Sequence, residues 1–368
     1  MIAHIIYSKY LDESKTRVTI GGVQTYITNL ISVFRELGVN VSLYQCAEEN
    51  YSINWNDIKV YGVNYQSDKG PKIGEKLFKC CKQYADPQND LIVFATDTLN
   101  VKCDGYKTIA IQHGIFWDIP KREYSSKVKY FLEYVNKARQ AWNTISRCSK
   151  VDSLVCVDYN FINWYRALVP FPKVNLYAIP NFTAIPQKVD KTSEKTTVIF
   201  ARRFFEYRGT RVFADAMAEI LKHFNINVIV AGEGPDEPYL REKLSGYPQV
   251  KFIRYNSDES LMIHEKCDIA VVPTIGSEGT SLSLLEAMAS KCAVVCTNVG
   301  GMTNIVLDHY NGLIIPPSSS HLYDAIKELI ENIESREQIA GHALETAKTS
   351  FNLEKWKKDW MKILEVYM

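Results

Sequence analysis

Two carboxylates, Glu278 and Glu286, stand with seven residues between them, and the first of those seven are Gly279, Thr280, Ser281 and Leu282. A loop of small residues at the start of a helix presents main-chain N–H groups that have no acceptor within the helix, and the helix dipole favours an anion there. Carboxylates on either side of it accept hydrogen bonds from hydroxyl groups. The combination suits a ligand carrying phosphate or sugar oxygens together with hydroxyls. Taken singly, Glu278 reads equally well as an N-terminal helix charge and Glu286 as a surface residue. A second group is cationic: Arg202, Arg203 and Arg208 lie in one short segment. Arg offers a planar fork of donors that stays charged, which suits a diphosphate, although a basic loop is also commonly just solvated. Three further positions are candidates. His113 follows an apolar run, Gly21 and Gly22 precede a helical pattern, and GEGP (Gly232–Pro235) follows another apolar run, where GxG alone is a weak phosphate-loop signal.

The elements that must carry these residues alternate between strands and helices. Short apolar runs at Ile2–Tyr7, Val39–Gln45, Leu91–Thr96, Thr108–Ile111 and Ser153–Asp158 read as buried strands of a parallel sheet, with Val174–Phe182 closing the first half. Val23, Tyr26, Ile27, Leu30, Ile31, Phe34 and Leu37 follow helical spacing, which puts Gly21 and Gly22 at a helix N-terminus. His113 then sits just beyond a strand's carboxyl end, where open parallel sheets bind ligands. Strands restart at Thr197–Ala201 and Val228–Ala231, with Asp268–Pro273 and Ala293–Cys296 further on. Arg202–Arg208 and Glu278–Leu282 therefore fall in loops that each follow a strand and precede a helix. In the helix Ser281–Ser290, apolar residues cover most of the circumference and leave a strip of Ser283, Glu286 and Ser290. A carboxylate there needs a partner or faces a ligand. Lys188–Lys195, a polar run, reads as the linker between halves. Trp117–Trp142 mixes Lys and Arg with aromatic residues. It reads as an amphipathic helix with a solvated charged face and a buried aromatic stripe, or as a surface for an anionic membrane or acidic glycan.

The order SEGTSLSLLEAMASKCAVVCTNVGGMTNIVLDHYNGLIIPP, with Glu278, seven residues, Glu286 and then Ala-Met-Ala, resembles the donor segment of the retaining glycosyltransferases of the GT-B fold, family four. The resemblance covers nearly all of the second half and the first half more loosely. It implies two doubly wound Rossmann-like α/β domains facing a central cleft. The expected boundaries are an N-terminal, acceptor-side domain at 1–182 and a donor-side domain at 183–350, with a C-terminal helix at 351–368 crossing back to the first domain. By resemblance, Arg203 and Arg208 with the backbone of Gly21, Gly22, Gly279, Thr280, Ser281 and Leu282 bind the donor diphosphate. Glu286 holds the ribose, Arg254 and Tyr255 seat the base, and His113 and Glu278 serve the transferred sugar as catalytic residues. The sequence departs from the family pattern at Arg208, which stands for Lys, at Tyr255 and Phe182, which stand for Gly, and at Thr280, where a bulkier residue is common.

Composition bounds the function from outside. The chain has 368 residues, is 46% hydrophobic and nearly balances 43 Lys and Arg against 42 Asp and Glu, so two domains are expected and no nucleic-acid partner is. Nine Cys at irregular spacing fit reduced thiols in a cytosolic protein. The opening strand pattern and the lack of an apolar run of about 18 residues lead us to expect a cytoplasmic protein, peripheral to the membrane at most. No acidic cluster has credible metal spacing, so metal-independent transfer of a sugar from a UDP- or GDP-type donor to a glycan or lipid-linked hydroxyl acceptor is expected, as in surface polysaccharide assembly. A sugar-nucleotide epimerase or hydrolase on the same architecture, and a nucleotide-sugar binding protein without turnover, remain open. A glycosidase does not need the cationic loop.

Overall fold

The computed structural model describes the chain apart from Ile20 and residues 66–70, 120–125, 190–194 and 257–258, and of Pro71 it describes the backbone only. It forms two compact units. The first comprises Met1–His113, Ser125–Pro180 and Trp356–Met368; the second comprises Gly114–Tyr124 and Asn181–Lys355.

The first unit is built on β1 (Ile2–Ile6), β2 (Asn40–Ala47), β3 (Tyr51–Trp55), β4 (Ile58–Asn64), β5 (Leu91–Phe94), β6 (Lys107–Gln112), β7 (Ser153–Cys156) and β8 (Asn175–Ala178). They line up in the order β3-β4-β2-β1-β5-β6-β7-β8, parallel except for the β3–β4 hairpin. Helices α1 (Gly22–Glu36), α2 (Pro71–Cys81), α3 (Lys127–Cys148) and α4 (Tyr159–Leu168) connect them. The chain starts in mid-sheet at β1 and builds outward first on one side and then on the other, which makes a topological switch point between β1 and β5. The chain's last segment closes this unit. Tyr26 on α1 meets the rings of Trp356 and Trp360 edge-on at 4.9 and 6.1 Å, and Trp360 Nε1 donates to Tyr26 Oη at 3.0 Å.

The second unit contains β9 (Thr197–Ala201), β10 (Asn227–Ala231), β11 (Val250–Ile253), β12 (Ile269–Val272), β13 (Ala293–Thr297) and β14 (Leu313–Ile315), all parallel, in the order β11-β10-β9-β12-β13-β14. Its helices are α5 (Thr210–His223), α6 (Glu237–Leu244), α7 (Ser260–His264), α8 (Leu282–Ala289), α9 (Ser319–Glu331) and α10 (Ile333–Ser350), followed by α11 (Leu353–Leu364), most of which belongs to the first unit. The strands are largely apolar because both faces of the sheet are covered, with Lys251 exposed on the edge strand β11. Val198, Phe200, Val228, Val230 and Val295 enter a core with α5, α6 and α9, while Ile199, Ala201, Val272, Val294 and Cys296 enter another with α8 and α10. The switch point falls between β9 and β12. It therefore sets the two loops that carry the arginines and Glu278 side by side.

Four stretches differ from the sequence reading. Residues 46–90, which carry no clear pattern, contain β3, β4 and α2. The β3–β4 hairpin turns at Asn56-Asp57, both with positive φ, the residue types such a two-residue turn requires. Helices α4 and α10 were not expected. On α10 the buried face is small, with Ala340, Ala343 and Ala347 beside Ile339, so its hydrophobic periodicity is faint. The buried aromatic stripe expected within 117–142 is the largest correction: Tyr130, Phe131 and Tyr134 are exposed on α3, and only Thr144 and Cys148 of that helix are buried. Lys121, Arg122 and Tyr124 of that stretch, and most of the expected linker, lie outside the described residues.

Candidate active site

The second unit gathers its charges around Glu278. The loop after β9 stays paired to the loop after β10, since Arg202 N–H donates to Ala231 O at 3.0 Å and Phe204 N–H to Glu233 O at 2.8 Å. This explains GEGP: Gly232, at φ 137°, lies where a Cβ would stand 2.0 Å from Arg202 O, so its glycine admits the arginine loop. An extended backbone turns neighbours to opposite sides. Arg202 is buried and Arg203 is exposed, with its guanidinium 5.6 Å from the centre of the Phe205 ring. Arg202, not Arg203, therefore reaches the carboxylate expected at the donor sugar.

Glu278 Oε2 accepts from Arg202 Nη2 at 2.5 Å, from Arg208 Nη1, and from Thr274 Oγ1 at 2.9 Å; Arg202 Nη1 in turn donates to Thr274 Oγ1. Oε1 accepts no hydrogen bond among the described residues. Burial alone would raise the Glu278 pKa, but the two guanidinium charges and these hydrogen bonds bring it down to about 2. The carboxylate is ionised at every physiological pH. Two cations, Arg202 buried and Arg208 half-buried, against one anion leave a positive charge over, in a place where water screens it poorly.

The backbone that follows is fixed from three directions. Ser277, in the left-handed region at φ 59°, donates its N–H to Asp118 Oδ1 at 2.6 Å, Gly301 N–H donates to Glu278 O at 3.1 Å, and Asn181 Nδ2 donates to Thr280 O at 2.7 Å. Gly300, at φ 56°, lies against Glu278 O, where a Cβ would come within 2.0 Å, so the Gly-Gly after β13 is a cradle for this loop. Held in this way, Gly279, Thr280 and Ser281 lead into α8, where the Ser281 hydroxyl pairs with Ser283 Oγ at 3.2 Å and caps no first-turn N–H. The first-turn amides are aimed along the helix axis as an anion site.

On the next turn of α8, Glu286 Oε2 accepts from Ser260 Oγ at 2.6 Å, and its Oε1 has no hydrogen bond among the described residues. Burial raises its pKa to about 7, the Ser260 bond opposing the shift. Tyr255 packs against the apolar cluster beneath α8, and burial together with the Glu286 charge pushes its phenol to about 12. Arg254, expected with Tyr255 at the base, is exposed and its side chain is engaged by Glu233 and Glu237 at 3.4 and 3.6 Å. Ser260, Thr274, Asp118 and Arg202 were not singled out for these roles. Their types are too common to signal alone, and only Arg202 carried a hint, as one of two adjacent arginines.

In the first unit, His113 follows β6. Its Nε2 lies 2.8 Å from Ala95 O, which as a carbonyl can only accept, so the proton is on Nε2 and Nδ1 is an acceptor. Burial lowers its pKa to about 4, and the imidazole is neutral. The Tyr26 ring stands edge-on to it at 5.3 Å. Gly21 caps α1 in extended backbone, followed by Gly22 as its first residue. Gly21 is closely packed, since a Cβ would strike the Gln24 side chain at 2.3 Å.

Two doubly wound α/β units with ligand-type loops after their strands define the class, the GT-B fold. The chain matches sucrose-phosphate synthase from Thermosynechococcus elongatus at a TM-score of 0.78 and 16% identity, over 99% of this chain and 98% of that one. It matches Anabaena HepE, solved with UDP-glucose, at a TM-score of 0.68 and 16% identity over 100% of both chains. Residues 181–345 match the family described as Glycosyl transferases group 1. An uncharacterised glycosyltransferase of Methanocaldococcus jannaschii is 26% identical over 376 residues, 95% of this chain and 94% of that one. Residues 181–345 thus resemble the group 1 glycosyltransferases, and the matches together support a glycosyltransferase.

Proposed function

We propose that this glycosyltransferase transfers a hexose-type sugar, with retention of configuration and without a metal ion, from a nucleoside diphosphate donor to a hydroxyl of a glycan or lipid-linked acceptor, in the assembly of a surface polysaccharide or related glycan. The observation that carries the reading is the cluster of Arg202, Arg208 and Glu278, buried but for the partly open Arg208, with its surplus positive charge at the foot of α8. A leaving diphosphate gains negative charge in the transition state, and preorganised cations and amides in a dry site are effective there. Arg208, Arg202 and the Gly279–Leu282 backbone take that role, with Gly21 and Gly22 approaching the phosphates and Arg203 at the outer side. These groups supply the positive charge that a metal supplies elsewhere.

Glu286 accepts from the ribose hydroxyls through its unengaged oxygen. Tyr255 and the Arg254 backbone flank the base. Glu278 Oε1 and His113 Nδ1 each accept from a hydroxyl of the transferred sugar, and neither is a proton source at neutral pH. That Anabaena HepE was solved with UDP-glucose supports a UDP-type donor, with GDP as the competing choice. The test is thermal unfolding with UDP, GDP, ADP and their sugar conjugates in EDTA, where a nucleotide at about 100 times its Kd adds about 2.7 kcal/mol. A shift with one nucleotide, lost in Arg208→Ala and Glu286→Ala, names the donor. Acceptor-dependent release of the nucleoside diphosphate then separates transfer from hydrolysis or simple binding. No shift with any of them overturns the reading.

A further inference from the structure

Helix α3 has two faces of opposite meaning. With successive residues about 100° apart, Glu133, Lys137, Gln140, Thr144 and Cys148 share the face that is buried or half-buried. The opposite face, in a sector of about 100°, carries Val128, Phe131, Leu132, Val135 and Trp142. All five are exposed, by 46% at Val135 and up to 71% at Trp142. An apolar stripe on the outward side of a helix does nothing for the fold that carries it, and contiguous exposed apolar surface marks an interaction site.

The charges say what covers it. Helix α3 has five basic residues and one acidic one, and Lys127, Lys129 and Arg139 lie beside or within the apolar sector without an ion pair among the described residues. A second copy of the chain docking on the same face would bring these cations against each other. A partner layer of negative charge over an apolar interior complements both features. Aliphatic and aromatic residues on one side, rimmed by Lys and Arg, are the composition of a helix that lies flat in a lipid headgroup layer, with Trp at the interface. No helix among the described residues is long and apolar enough to cross a membrane. We propose that α3 is a docking surface for an anionic lipid bilayer, lying along it through Phe131, Leu132 and Trp142 and held by Lys127, Lys129 and Arg139. The proposal sharpens the membrane side of the acceptor reading, and it stands on the surface of the first unit alone.

The experiment uses the full chain with vesicles of phosphatidylcholine, alone or with about 30% phosphatidylglycerol, followed by sedimentation and tryptophan fluorescence. Binding is expected to the anionic vesicles only, to weaken as salt rises from about 0.1 to 0.5 M, and to shift the tryptophan emission to the blue. The triple variant Lys127→Glu, Lys129→Glu, Arg139→Glu lowers partitioning by about a hundredfold. The triple variant Phe131→Ser, Leu132→Ser, Trp142→Ser abolishes the blue shift. Both keep the unfolding midpoint and the nucleotide-induced shift of the parent, because the substituted side chains are exposed. Absence of vesicle binding, or binding that neither variant weakens, overturns the proposal. So does a dimer in solution that the serine variant converts to monomer, which would assign the face to a second copy. Loss of the nucleotide shift in the parent chain would instead count against the transferase reading and leave this surface standing.

Discussion

The loops of the second unit and those of the first hold their polar groups by different means. In the second unit, charge answers charge: Glu278 is clamped by Arg202, Arg208 and Thr274, and the backbone around it is tied by Asp118, Asn181 and Gly301. In the first, His113 is held by one carbonyl and the edge of an aromatic ring, and the helix that follows turns its apolar residues outward. A site built from mutually paired charges tolerates little substitution, because each group removed strands another. A site built from packing tolerates more, and its losses are graded.

The strongest way to break this contrast is Glu278→Ala. It leaves the buried Arg202 and the half-buried Arg208 without their anion, and breaking a buried pair in this manner costs about 3 kcal/mol or more. Calorimetry should show the midpoint falling by on the order of 10 °C, with turnover down about a thousandfold. A wild-type midpoint in this variant would mean that the arginines are hydrated and the clamp is not structural. Next in size is Arg208→Ala, which in the proposed transfer removes one donor to the diphosphate and is expected to lower kcat about a hundredfold. Arg203→Ala, at the exposed neighbour, should lower kcat/KM by less than about tenfold. Equal effects from the two would show that Arg203 swings inward when the donor binds.

The same contrast decides what the sequence made legible. The strands of the second unit, the loop from Glu278 to Ser281 and helix α8 are plain because a twice-covered parallel sheet writes unbroken apolar runs, and because the loop needs small residues at fixed places. Glycines were visible as glycines, but not the reason for each. Gly232 makes room for the carbonyl of Arg202, a residue distant in sequence, and no local pattern reports that. The choice between Arg202 and Arg203 likewise depends on which side of an extended segment faces the carboxylate. In the first unit, α3 has helical periodicity but the sign of its apolar face is inverted. Periodicity says that a stripe exists; only the neighbouring elements decide whether it is covered. The Ala face of α10 and the polar β3 strand were faint for the opposite reason, since burial there involves little apolar surface.

A smaller and more diagnostic effect concerns Glu286. Its folded pKa of about 7 lies above the ordinary carboxylate value, so between pH 4.5 and 7 the folded protein binds the extra proton. The contribution of this residue to stability is therefore full below the unfolded pKa and is lost as pH rises through 7. In the proposed site, ribose hydroxyls donating to Glu286 favour its ionised form, so donor binding should release a proton near neutrality. Affinity for the nucleotide sugar, whose esterified diphosphate does not titrate in this range, should rise about tenfold from pH 6 to pH 8. Glu286→Gln flattens that profile. A pH-dependence that persists in Glu286→Gln would move the assignment to another group.

The smallest effect tests whether the C-terminal segment serves the site or only the fold. Trp360 donates to Tyr26, and the Tyr26 ring lies edge-on to His113, so Trp360→Phe removes a buried hydrogen bond two contacts from the imidazole. Its cost in stability should be about 1 kcal/mol. If the aromatic chain orients His113, kcat also falls a few-fold, less than the roughly tenfold loss expected for His113→Ala, while His113→Asn retains more activity because it keeps an acceptor near the place of Nδ1. The decisive comparison is the double variant. A positioning effect vanishes once His113 is gone, so Trp360→Phe should leave kcat unchanged in the His113→Ala background. The stability cost must remain in both backgrounds, since the hydrogen bond to Tyr26 is lost in each. A kcat effect that persists without His113 would show that Trp360 acts on the first unit as a whole, and that the imidazole is held by Ala95 alone.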